Sequence, residues 1–255
     1  IAIATVILPG LSRLQLQNLS AESNDGSAAR FRATLNWALR CITFVAIPAT
    51  AALVVLAAPI LFTLFQYQAM TAADVAMSTY SLRAYALGLM AFMAIKVLAT
   101  GFYAQQDMKT PVRIGIIAMV SNMVLNLIFV LILHHYWQLG HVGLALATSL
   151  SAALNAWLLF RGLSANQLLS DNASGKGRLL TADYWHLLLR VLAGVVAMIG
   201  VLLWLLPELS SWAAASWLSR CYELSLLCIA GLATYLIVLW ALGIRMQQFK
   251  SPEVG

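Results

Sequence analysis

Long apolar blocks separated by short polar ones run the length of this chain. They predict six complete membrane spans, at about Asn36–Phe65, Met77–Tyr103, Val112–Leu133, Val142–Phe160, Trp185–Leu206 and Cys221–Gly243. Each is close to or above the roughly 20 residues that carry a helix across hydrocarbon. Runs of this length with little period-2 alternation argue against a β-barrel. The first apolar block, Ile1–Leu8, ends at Pro9-Gly10 and is too short to span. It lacks the basic flank of a signal peptide, so it is expected to be the end of a helix that begins before Ile1.

The polar blocks divide the chain. Residues 1–35 are read as the end of that helix plus a connector, 36–162 as four spans, 163–184 as a polar loop, 185–244 as a C-terminal helix pair and 245–255 as a tail. Pro48 and Pro59 predict a tilt or kink in the first span. Between the second and third spans, Gln105–Pro111 reads as a tight turn in which Thr110 caps and Pro111 opens the next helix. Alternate connections concentrate the cations: Arg13, Arg30, Arg32 and Arg40; Lys109 and Arg113; Arg161, Lys176, Arg178 and Arg190; Arg245 and Lys250. The intervening connections hold Arg83 and Arg220 at most. By the positive-inside rule this alternation predicts a cytoplasmic C-terminus.

Composition agrees with the pattern. Of 255 residues, 62% are hydrophobic and 9% charged, against about 25% charged in soluble domains; mean hydropathy is +0.86. The expected fold is an all-α polytopic membrane helix bundle, the end of one helix plus six complete transmembrane helices. The net charge of +6 is scattered over short loops and forms no stripe suited to nucleic acid. Cys41, Cys221 and Cys228 form no CxxC, and Cys221 and Cys228, about 10 Å apart along one helix, are too distant to bridge. No Walker, GxSxG, HExxH or paired-carboxylate pattern is present, so neither an enzyme nor a cofactor is expected.

Polar residues inside the spans carry the candidate chemistry. Lys96 lies in an apolar segment, where a lysine at the helix centre costs about 2.5–3.5 kcal/mol. On an ideal helix Tyr85, Lys96, Thr100 and Tyr103 fall on one face, a polar stripe expected to face a cavity or bundle interior; snorkelling to the interface is the plainer alternative. Asn122 and Asn126 are one turn apart and share a face with Gly115, and the fourth span offers Thr148, Ser151 and Asn155. Such groups either bond helix to helix, at about 0.6 kcal/mol each, or line the same cavity as Lys96. His134, His135 and His141 lack an accompanying carboxylate pattern, so an interfacial loop is favoured over a metal site. Glu223 is expected to pair with Arg220.

Two stretches, Ala4-Thr-Val-Ile-Leu-Pro-Gly-Leu-Ser-Arg13 and Gly101-Phe-Tyr-Ala-Gln-Gln-Asp-Met-Lys-Thr-Pro-Val-Arg113, resemble the MurJ (MviN) family. Leu64-Phe65-Gln66-Tyr67 and the spans that follow fit the second half of that family. Its members are lipid II flippases within the multidrug/oligosaccharidyl-lipid/polysaccharide exporter superfamily. The resemblance implies fourteen helices in two lobes plus a C-terminal pair, of which this chain would hold the end of helix 8 and helices 9 to 14. It implies movement of undecaprenyl-pyrophosphate-linked peptidoglycan precursor across the bacterial inner membrane by alternating access. It also implies that the fifth and sixth spans form a groove for the lipid tail. The resemblance also implies that the family's best-known cavity arginines and acidic residues lie mostly in the first lobe and the body of helix 8, before Ile1, which leaves Lys96, Thr100, Asn122, Asn126 and Asn155 as the candidate substrate contacts of this lobe.

Besides the lipid-linked precursor, membrane lipids and cell-wall synthesis proteins are candidate partners. Two competing readings remain: another exporter of the superfamily (a polysaccharide-lipid flippase or a drug/cation antiporter), and a scaffold that docks cell-wall enzymes through Arg161–Asp183.

Overall fold

The structure, a computed structural model, describes residues 24–66, 71–137, 140–165, 182–208, 212 and 215–244. Ile1–Leu8, with the motif that follows it, most of the 163–184 loop and the whole 245–255 tail lie outside the described residues. The described chain forms helices α1 Asn24–Phe65, α2 Ala72–Leu87, α3 Leu89–Ala104, α4 Lys109–Trp137, α5 Gly140–Ser164, α6 Ala182–Leu205 and α7 Trp217–Ala241. Among them are six spans long and apolar enough to cross a membrane, α2 and α3 together making the second. The expected span count and all-α class are both found.

Helix α1 is the axis of the bundle. It has 42 residues, about 63 Å at 1.5 Å per residue, twice the hydrocarbon thickness. It begins at Asn24, well before the span expected from Asn36, because Phe31 and Leu35 on its first turns are fully buried. Those side chains join Leu39, Val97, Phe102 and Leu163 in a core shared by α1, α3 and α5. A second core, with Leu56, Val191, Met198, Leu202, Leu227 and Leu239, seats the α6–α7 pair against α1.

The prolines of α1 leave backbone work for other helices. Pro48 has no N–H for the Phe44 carbonyl, and the Tyr235 hydroxyl of α7 donates to that carbonyl at 2.8 Å. One residue before Val55, whose carbonyl Pro59 leaves without its helical donor, Arg83 Nε donates to the Val54 carbonyl at 3.0 Å. In the last turn, whose carbonyls lack helical partners, Arg220 Nη1 donates to the Phe62 carbonyl at 3.1 Å. A cation there also complements the helix dipole.

The second span is broken where an uninterrupted helix is expected. At Gly88 the backbone N–H reaches back to the Tyr85 carbonyl, tightening one turn. The Ala84 carbonyl instead accepts from Ser149 Oγ of α5 at 2.6 Å. Close approach requires glycine here: a Cβ on Gly88 would meet Ser149 Oγ at 2.7 Å and its Cα at 2.9 Å. On the far side, α4 packs chiefly on α5, where Gly143 lets the two backbones meet at Phe129. Only 6% of the most apolar window of α4 is buried.

Candidate substrate cleft

Helices α3, α4 and α5 converge on an open cleft of about 370 Å³. Phe92 and Ile95 form one wall, Gly115, Ala118, Met119 and Asn122 another, and Thr148, Ser151, Ala152 and Asn155 the third. The helical period explains the grouping, since Gly115, Asn122 and Asn126 recur on one face of α4 and Thr148, Ser151 and Asn155 on one face of α5.

The polar groups are wired together. Asn126 Nδ2 donates to Asn122 Oδ1 at 3.0 Å, and Asn122 Nδ2 donates to Ser151 Oγ at 3.2 Å. Ser151 Oγ in turn donates to the Thr148 carbonyl at 3.0 Å, while the Thr148 hydroxyl donates to the Leu144 carbonyl at 2.8 Å. Two amide oxygens are left over. Asn126 Oδ1 and Asn155 Oδ1 are buried, and among the described residues neither accepts a hydrogen bond. A buried acceptor without a donor costs about 1–3 kcal/mol, so Asn155 in the cleft lining, and Asn126 just behind the lining residue Asn122, hold acceptor capacity that the described residues leave unused.

Lys96 is exposed, one turn beyond the cleft residue Phe92 on α3, and is not itself part of the lining. It lies about two turns from the end of its helix at Ala104, and about equally far from the middle of the Ala73–Ala104 span. No hydrogen bond or ion pair to its ammonium is formed among the described residues. Tyr103 shares its exposed face. The expected stripe is otherwise dispersed: Tyr85 lies on α2, across the Gly88 break. Thr100 is buried, with its hydroxyl donating to the Val97 carbonyl at 2.7 Å. The structure therefore gathers Asn122, Asn126 and Asn155, sets Lys96 beside them and turns Thr100 away.

The turn preceding α4 differs in detail from expectation. Asp107 caps the helix, its Oδ1 accepting from the Lys109 and Thr110 amides at 3.1 and 3.0 Å. Hydrogen bonding from Thr110, side chain first and then backbone, holds the Asp107 carboxyl below its usual range, aided by Lys109 and by the charge of Arg113. His141 forms a ring-nitrogen hydrogen bond with the Met77 carbonyl at 3.2 Å. Glu223 accepts from Ser219 Oγ at 3.4 Å, and Arg220 turns to α1 as described.

Elsewhere, α1, α6 and α7 enclose an apolar groove of about 300 Å³ lined by Phe44, Pro48, Leu56, Met198, Leu202, Leu227 and Tyr235, among others. Its lining comes from residues far apart in the chain, so no local pattern announced it.

The model of the family described as lipid II flippase MurJ matches residues 1–223. The chain belongs to the MurJ family. A probable lipid II flippase MurJ of Vibrio cholerae is 46% identical over 98% of this chain, and one of Haemophilus influenzae is 40% identical over 99%. These alignments cover 43% and 46% of the two relatives, so the chain spans less than half their length. A solved lipid II flippase MurJ in an inward closed conformation matches 93% of this chain and 43% of its own, with a TM-score of 0.62 and 22% identity. That likeness establishes the shared fold. Six apolar helices in a member of this family make the chain a multi-pass inner-membrane protein.

Proposed function

We propose that this chain is the C-terminal part of a lipid II flippase, moving undecaprenyl-pyrophosphate-linked peptidoglycan precursor across the inner membrane by alternating access, without catalysing a covalent reaction. The observation that carries the reading is a polar cleft inside an otherwise apolar bundle of a MurJ-family chain, with one buried and unused amide oxygen on its lining residue Asn155 and a second on Asn126, which is bonded to the lining residue Asn122. Polar groups at membrane depth are costly unless a substrate or pathway uses them. Asn122, Asn126 and Asn155 offer the amide chemistry that sugars and peptides require. Lys96 adds positive potential beside the cleft, where a low dielectric strengthens attraction to a pyrophosphate. In this reading Thr100 supports the helix backbone and contacts substrate only if the cleft rearranges. The apolar α1–α6–α7 groove suits a polyprenyl tail. Residues 36–162 then form the substrate lobe and 185–244 the tail-binding pair, with the C-terminus cytoplasmic and cell-wall synthesis proteins as further partners.

Complementation of a depleted strain by the full-length protein tests the assignment. Lys96→Ala and Lys96→Gln are expected to lower growth rescue and make lipid II accumulate on the cytoplasmic side, while Lys96→Arg preserves function. Full rescue by all three at normal protein levels would remove Lys96 from any role in attracting the substrate. Accumulation of a different lipid-linked glycan on depletion would overturn the substrate.

A further inference from the structure

The opposite face of the α4–α5 pair carries a second cleft, of about 570 Å³, that the transport reading leaves unused. Val120, Val124, Leu125, Leu150, Leu154 and Trp157 line it. It shares no lining residue with the polar cleft, because the two occupy different faces of the same helices. Its volume lies in the range of ligand-sized clefts, and Val120, Val124, Leu150 and Trp157 are each about half exposed.

One end of this cleft is basic. Trp157 forms its wall and carries the Arg161 guanidinium 5.4 Å from its ring centroid. Such stacking fixes the planar cation while leaving its N–H donors free to point outward. None of the described residues supplies a carboxylate to Arg161. Arg113 recurs at helical spacing on the same face of α4 as Val120 and Val124, and it is exposed. It lies at the same end as Arg161, since α4 starts where the antiparallel α5 finishes. The neighbouring Asp107 carboxylate is committed to the first amides of α4.

We propose that this cleft binds an anionic glycerophospholipid, with one acyl chain along the α4–α5 seam and the phosphate held by Arg113 and Arg161. A neutral lipid would fill the apolar part equally well but would leave two guanidinium forks unmatched. Arginine binds phosphate through paired, charge-assisted hydrogen bonds. Basic sites between membrane helices beside an aromatic at the interface fit anionic headgroups. The charge complementarity therefore selects the lipid class, and the groove selects a lipid over free phosphate.

The test uses the full-length protein, purified and titrated with phosphatidylglycerol or with phosphatidylcholine of the same chains, with adducts read by native mass spectrometry. A photoactivatable acyl chain then reports where each lipid lies. Phosphatidylglycerol is expected to bind more tightly and to label Leu150 and Leu154. R113Q and R161Q should each weaken it about fivefold, the effect of one basic group near an anionic headgroup. R161K, which keeps the charge and loses the stacked fork, should weaken binding less than R161Q does, which separates charge loss from misfolding. A153W, which narrows the cleft and keeps both arginines, should abolish the labelling. Equal binding of phosphatidylcholine, or indifference to both glutamine variants, would overturn the proposal. So would crosslinking of a cysteine at Leu154 to another helix of the same full-length chain, because the cleft would then be an internal seam.

Discussion

Pro48 takes one N–H out of the middle of α1, and the Phe44 carbonyl left behind is claimed by the Tyr235 hydroxyl. Interhelical hydrogen bonds in membranes average about 0.6 kcal/mol, but this carbonyl has lost its helical donor, so Tyr235→Phe is expected to cost about 1 kcal/mol. In a Pro48→Ala background the helix N–H returns and the same substitution should cost measurably less. Thermal unfolding of the four proteins in detergent gives this double-mutant cycle; equal costs in both backgrounds would mean that Tyr235 acts only through its ring, 5.7 Å from that of Phe44. Asp107 supports a second prediction at this scale. Its carboxyl titrates below the usual range in the folded chain, so the stability it contributes is complete above the unfolded-state value near 4. That stability is lost as pH falls through the lower folded value. Asp107→Ala should cost about 1 kcal/mol at neutral pH, as for other caps. Asp107→Asn should keep most of the cap and lose the acid dependence, as unfolding at pH 7 and at low pH would reveal.

At the scale of elements, glycines decide which helices can meet. Gly88→Ala would drive a methyl group into both the side chain and the backbone of Ser149, so α2 and α5 must separate. A cost of about 1–3 kcal/mol is expected. Ser149→Ala should not rescue it, because the 2.9 Å contact to the Ser149 Cα persists. Gly200→Ala is the control, with nothing within 4 Å of the added carbon. It should be neutral or stabilising by up to about 1 kcal/mol. The same pair marks the limit of what the sequence disclosed. Six apolar blocks of spanning length made the helix count legible, and Asn122 and Asn126 were legible as a pair because four residues make one turn. The break at Gly88 was not, since its cause is Ser149, on another helix. Thr100 was misleading for a related reason: its angular position fits the polar stripe, but its hydroxyl satisfies itself on the Val97 carbonyl. Pro48 announced a carbonyl without a donor, yet nothing local could name Tyr235.

For the whole molecule, the two cations that sit on the wrong side of the charge alternation are explained by packing. Arg83 and Arg220 both donate to carbonyls of α1, at Val54 and Phe62, so they are fastened to the bundle instead of lying free in loops. Arg220 is buried. Setting these two aside leaves Lys109, Arg113 and Arg161 at one end of the described spans, the end that also carries the basic mouth of the α4–α5 cleft. The positive-inside rule then predicts that this end faces the cytoplasm. After replacement of Cys41, Cys221 and Cys228, single cysteines in the full-length protein test this in intact cells with a membrane-impermeant maleimide. A cysteine at Gln106, in the turn before α4, should label only after the inner membrane is opened, whereas one at Ala73 or Trp217, both exposed at the opposite end, should label from outside. The reverse pattern would invert the topology and move Lys96 and both arginines of the lipid cleft to the outer leaflet, where the proposed lipid would have to be drawn from the other side of the membrane.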